Sequence, residues 1–129
     1  MASIRNEVPL RARAADVWDA VRDFGALPQR LVPGFVTECR LEGDARIVTF
    51  ANGLVARELL VDCDDTQRRL AYAIVGGRAS HYAASVQVVE RDAGNSTLVW
   101  VIDLLPNELA PAISAMASQG VAAMKKHFG

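Results

Sequence analysis

The chain opens on an alternating stretch, "SIRNEVPL", with Ile4, Val8 and Leu10 on one parity and Arg5 and Glu7 on the other. That pattern predicts a half-buried strand. The period then lengthens. In "AADVWDAVRDFG", Val17, Trp18, Val21 and Phe24 fall on one helical face, and Gly25 is placed to end the helix. "LPQRLVPGF" predicts a short helix or turn opened by Pro28 and stopped by Pro33. From there the chain reads as strand after strand, over residues 35–41, 47–50, 54–63, 70–75, 81–90 and 97–105. Their turns are marked by "EGD", Asn52-Gly53, Asp64-Asp65, Gly76-Gly77 and "RDAGNS". After Pro106, Leu109, Ile113, Met116, Gly120 and Met124 recur every three or four residues, which predicts a long C-terminal helix. Its start is set by Asn107 as N-cap or by Pro111 in the first turn, and the pattern does not choose between them.

This order predicts an α+β fold in one domain, residues 1–129. A curved antiparallel sheet of about seven strands wraps around the long C-terminal helix, with two short helices after the first strand. A curved sheet closing on one helix leaves a space that is either filled by side chains or kept as a pocket. Gly120 bears on that choice. A mid-helix glycine costs about 1 kcal/mol relative to alanine. It fits close helix–sheet packing, or it leaves room for a ligand with Met116 and Met124 as adaptable walls.

Composition removes several functions. Hydrophobic residues make up 51% of the 129 and charged residues 22%, enough apolar material for a core. The net charge is −1 and the only lysines are Lys125 and Lys126, so no basic stripe exists to hold nucleic acid. The first ten residues, "MASIRNEVPL", carry charges and no apolar run, and no uncharged stretch approaches the roughly 20 residues of a membrane span. The expectation is a soluble, cytoplasmic protein without integral membrane association. Two histidines without ligand spacing predict no metal site. No GxGxxG, P-loop or GxSxG is present, and no cofactor is expected. Cys39 and Cys63 read as two buried or half-buried thiols.

The candidate chemistry sits on the strands. "GLVARELLVD" carries Glu58 at its centre. Leu54, Ala56, Glu58 and Leu60 share one face and Val55, Arg57, Leu59 and Val61 the other, so alternation leaves the direction of Glu58 open. Facing out, the carboxylate is a solvated strand residue. Facing in, it needs a hydrogen-bonding partner, a proton or water. Tyr72 shares parity with Leu70 and Ile74, and Tyr82 with Ala84, Val86 and Val88, which turns both rings inward. Trp100 lies on the more apolar parity of its strand, with Leu98, Ile102 and Leu104. His81 and Arg57 read as surface residues.

The order of elements, together with "VPGF", "RELLVDCDD", "RLAYAIVGG", "HYAASVQVVE" and "TLVWVIDLLP", resembles the START-like (SRPBCC, helix-grip) superfamily. That superfamily includes bacterial polyketide cyclase/dehydrase-like proteins. Within it, "RELLVDCDDTQRRLAYAIVGG" is most similar to the plant abscisic acid receptors and their bacterial kin. The resemblance implies a large apolar cavity between the sheet and the C-terminal helix. It places Glu58 at a position where the receptors' glutamate faces the cavity, and Tyr72 and Tyr82 at matching ring positions. The receptors' register turns Val99 inward rather than Trp100. The chain departs from the receptors in having no lysine in residues 28–35 and a shortened "GGRASHY" after the glycine pair, so the hormone-receptor reading falls away.

Three functions are carried forward. The first is binding or transport of a small hydrophobic ligand (a polyketide, isoprenoid or lipid-like molecule), walled by Phe24, Leu31, Phe35, Tyr72, Tyr82, Trp100, Met116, Gly120 and Met124, with Glu58 as polar anchor. The second is a polyketide cyclase, aromatase or dehydratase activity with Glu58 as the catalytic acid/base. The third is a protein-interaction module with a collapsed cavity. A homodimer stays open.

Overall fold

The computed structural model describes residues 1–129. Seven strands form one antiparallel sheet: β1 (Ala2–Leu10), β2 (Val36–Glu42), β3 (Ala45–Phe50), β4 (Val55–Asp64), β5 (Arg69–Val75), β6 (His81–Asp92) and β7 (Asn95–Leu105). Their order across the sheet is β1-β7-β6-β5-β4-β3-β2. The chain therefore runs as a meander from β2 to β7, and β1 closes onto β7 as the far edge. Helix α1 (Ala14–Arg22) and a π-helical turn at Leu27–Leu31 lie between β1 and β2, and α2 (Ala110–Phe128) closes the chain. This is the helix-grip arrangement.

Register shifts at Val36/Glu38, Leu60/Asp62 and Glu90/Asp92 break the ladders. An extra residue in one strand bends it and raises its local twist, so the sheet curls toward α2 instead of lying flat. The inward parities are those of Val8 and Leu10, Leu70 and Tyr72, Val86 and Val88, and Leu98, Trp100, Ile102 and Leu104, all buried. On α2 the buried residues are Ala117, Gly120 and Met124. The helix follows a short 3-10 turn at Asn107–Leu109, and Pro111 falls in its first turn. Proline costs nothing there, because that backbone N–H has no partner inside the helix.

Two expectations need correction. Helix α1 ends at Arg22, short of the glycine expected to stop it. Beyond that end Arg30 bonds back to Asp19 at 2.6 Å and Asp23 at 3.1 Å, and Phe24, outside the helix, lies against the Arg46 guanidinium. Of the two thiols, Cys39 is half-buried but Cys63 is exposed near the end of β4. Burial pushes both thiols up, and nearby carboxylates add to this at Cys63, so neither is poised as a thiolate.

Candidate ligand cavity

A cavity of about 350 Å³ lies between the concave face of the sheet and α2. Of the 29 residues lining it, 23 are hydrophobic, and the other six are Arg46, Arg57, Glu58, Gly76, Gly77 and Arg78. The two glycines and Arg78 belong to the loop after β5. There the apolar lining residues Leu54, Val55 and Val75 are exposed, so this end is the mouth. The buried part of the lining, its inner end, includes Leu31, Val36, Val86, Ile102, Ala117 and Met124 together with one polar group.

That polar group is an ion pair. Arg46 on β3 stands directly opposite Glu58 on β4. Arg46 Nε donates to Glu58 Oε1 at 2.8 Å, with Arg46 5% and Glu58 4% exposed. The strand parity that buries Val48 also points Arg46 inward, and opposition across the ladder brings the carboxylate to it. The guanidinium lies over two aromatic rings, 4.2 Å from the centre of the Phe24 ring and 5.1 Å from that of Tyr72. Its Nη1 donates to the Phe24 carbonyl at 3.2 Å. Glu58 therefore faces inward, and its charge is met by a cation that the sequence reading had not singled out.

Two phenols and an indole add further polar groups to the lining. Trp100 Nε1 donates to Tyr72 Oη at 3.2 Å. Burial, and then the Glu58 charge, push the Tyr72 phenol well above its usual range, and the same two causes raise Tyr82. Both hydroxyls are thus neutral donors at any pH a cell sustains.

Leu31, Phe35, Glu58, Tyr72, Tyr82, Trp100, Met116 and Met124 line the cavity. Phe24 and Gly120 do not. Phe24 is spent on Arg46, one shell behind the wall. Gly120 supports the wall through its missing side chain, because a Cβ there would stand 3.1 Å from Trp100 Cζ3 and 3.2 Å from Phe35 Cε2. Close packing, rather than room for a ligand, explains this glycine. Trp100 takes the inward parity and Val99 the outer one. Arg57 is exposed and bonds Glu42 at 2.6 Å beside the mouth, and His81 is exposed. The cavity is open, so the collapsed form does not describe this chain. No group of three or more His, Cys, Asp or Glu side chains is placed to hold a metal. No helix is long and apolar enough to cross a membrane.

Solved structures share this architecture. A protein from Thermobifida fusca is 30% identical, with a TM-score of 0.78 over 98% of this chain and 89% of that one. The protein XoxI from Bacillus cereus is 22% identical, with a TM-score of 0.89 over 99% and 96%. A norcoclaurine synthase point mutant from Thalictrum, bound to a transition-state analogue, is 20% identical, with a TM-score of 0.75 over 97% and 92%. A search of curated proteins found no match to this sequence. The family model described as polyketide cyclase/dehydrase and lipid transport matches residues 1–129, and the chain belongs to that family.

Proposed function

We propose that this protein binds a small, largely apolar molecule in the cavity between the sheet and α2 and carries it sequestered from water. The observation that supports this reading is an apolar cavity of about 350 Å³ whose interior holds one compensated ion pair and two neutral phenols. The volume falls within the range of small-molecule sites, roughly 300–1,000 Å³. Removing apolar surface from water supplies the driving force, about 25 cal/mol per Å². The exposed Leu54, Val55 and Val75 at the mouth give such a ligand an apolar threshold to cross.

Native mass spectrometry of the purified protein, read against its denatured mass, tests this. An excess of a few hundred daltons is expected, or uptake of Nile red by protein stripped of ligand. Neither excess mass nor dye uptake would sink the reading.

A cyclase or dehydratase is the second reading. One observation favours it. Glu58 Oε2 accepts no hydrogen bond from the protein, in a cavity shared with the Tyr82 hydroxyl, so a carboxylate and a phenol are free to handle a proton. It expects Glu58→Gln to abolish turnover of an enolisable substrate while the cavity still takes up hydrocarbon.

A further inference from the structure

The ion pair at the inner end is only half used by the protein. Arg46 Nε and Nη1 are bonded, to Glu58 and to the Phe24 carbonyl, and Glu58 Oε1 is bonded to Arg46. Arg46 Nη2 and Glu58 Oε2 have no protein partner. Yet no side-chain nitrogen or oxygen sealed away from open space lacks a partner in this protein. These two atoms are therefore not sealed. Both residues line the cavity, which is the space they reach. The inner end thus offers one free donor on a cation and one free acceptor on an anion, in the same pair.

Two more groups point the same way. The Tyr72 hydroxyl accepts from Trp100 and keeps its own proton to give. The Tyr82 hydroxyl has no protein partner, and burial together with the Glu58 charge keeps it protonated. A polar group that a ligand strips of water and leaves unpaired costs about 1–3 kcal/mol, more when it is charged. A hydrocarbon seated here would strand several such groups at once.

Charge sets the sign of the preference. Arg46 and Glu58 sum to zero, and the remaining lining cations, Arg57 and Arg78, stand at the mouth. A carboxylate pushed to the inner end would meet Arg46 already neutralised and Glu58 as a second anion. An ammonium would meet the Arg46 charge in the same way. Desolvating either ion there lacks a countercharge.

We infer that the buried end of the ligand is an uncharged oxygen group presenting a donor beside an acceptor, such as an alcohol, phenol or hydroxyketone, and that the Arg46–Glu58 pair excludes carboxylates. A hydroxyl gives its proton to Glu58 Oε2 and accepts from Arg46 Nη2. A hydroxyketone divides the same two roles between neighbouring oxygens. The inference rests on the ligand-binding reading and adds to it the class of head group.

The test is displacement of Nile red near neutral pH by three molecules of one shape: naphthalene, 2-naphthol and 2-naphthoate. The expected order is naphthol tighter than naphthalene by at least about tenfold, the worth of one hydrogen bond to a charged group, with naphthoate weakest. Glu58→Gln removes the anion and leaves the Arg46 charge uncompensated, so naphthoate should gain at least about tenfold and overtake naphthol. If the single variant does not fold, Arg46→Gln/Glu58→Gln replaces it. There naphthol should lose most of its advantage over naphthalene, keeping only what neutral amides and phenols supply, without any gain for naphthoate. Displacement by naphthalene with naphthol no better, or naphthoate binding as well as naphthol to the unaltered protein, overturns the head-group inference and leaves the cavity reading standing. No dye uptake and no displacement by any of the three overturns both.

Discussion

Replacing Arg46 by methionine measures how deeply the pair is embedded. The substitution removes the cation from Glu58, the donor from the Phe24 carbonyl, and the guanidinium that lies over the Phe24 and Tyr72 rings. Breaking a buried pair from one side costs about 3–5 kcal/mol, because the remaining charge is left in a low-dielectric site. Glu58 Oε2 reaches the cavity, where water can partly solvate it, which favours the lower end. The orphaned carbonyl and the lost stacking bring the total back to about 4 kcal/mol. For a chain of this length that is a drop in Tm on the order of 10–15 °C. Urea unfolding followed by far-UV circular dichroism gives the free energy directly. The double variant Arg46→Met/Glu58→Leu removes both charges, and it should recover to within about 1–2 kcal/mol of the unaltered protein. The exposed pair Arg13–Asp16, bonded at 3.0 Å, is the internal control, and Arg13→Ala should leave the urea midpoint almost unchanged, because solvent screens that pair. A loss below about 1 kcal/mol in Arg46→Met, or a double variant as unstable as the sum of the two singles, would refute the compensated-pair account.

Two further predictions follow from the cavity wall. Tyr72 and Tyr82 are the only tyrosines of the chain, and the ordinary phenol value for both is 10. Raised native values mean that above pH 10 the unfolded chain binds fewer protons than the folded one. Stability is therefore fully present below pH 10 and falls as pH rises beyond it, by up to about 1.4 kcal/mol per tyrosine per pH unit. Absorbance at 295 nm should show phenolate appearing only together with loss of native circular dichroism, and a smooth native titration near pH 10 would contradict the burial. Gly120→Ala gains about 1 kcal/mol of helix propensity but sets a methyl against two aromatic rings, at a cost of about 1–3 kcal/mol. A net loss of about 1 kcal/mol in urea unfolding is expected, and Nile red affinity should drop roughly tenfold as Trp100 and Phe35 are pressed into the cavity. A stabler variant with unchanged affinity would show that the rings retreat elsewhere.

The elements of the fold were legible because strand and helix periods differ, and each turn residue sat where a period broke. The meander order, the long last helix and the inward parities of Tyr72, Tyr82 and Trp100 all follow from that. What escaped is the partner of Glu58, and the reason lies in one turn. Asn52-Gly53 reads as a two-residue hairpin turn, which would set Arg46 opposite Leu59 and Glu58 opposite Ile47. The chain instead turns over three residues: the Phe50 N–H bonds the Leu54 carbonyl at 2.9 Å, the Gly53 N–H returns to the Phe50 carbonyl at 2.9 Å, and Gly53 takes φ +89°. Glycine pays no steric penalty for that backbone. The added residue slides β3 by one position against β4 and places Arg46 across from Glu58. A slip of one residue exchanges the two faces of a strand, so this turn decides whether the cavity holds a lone carboxylate or a neutral pair. Alternation along β3 did carry a signal, since Arg46 shares its parity with Val48 and Phe50. That signal gains meaning only once the register is known. Phe24 escaped for a related reason: its place on the helical face was sound by period, but its ring lies against a guanidinium whose inward direction depends on that same register.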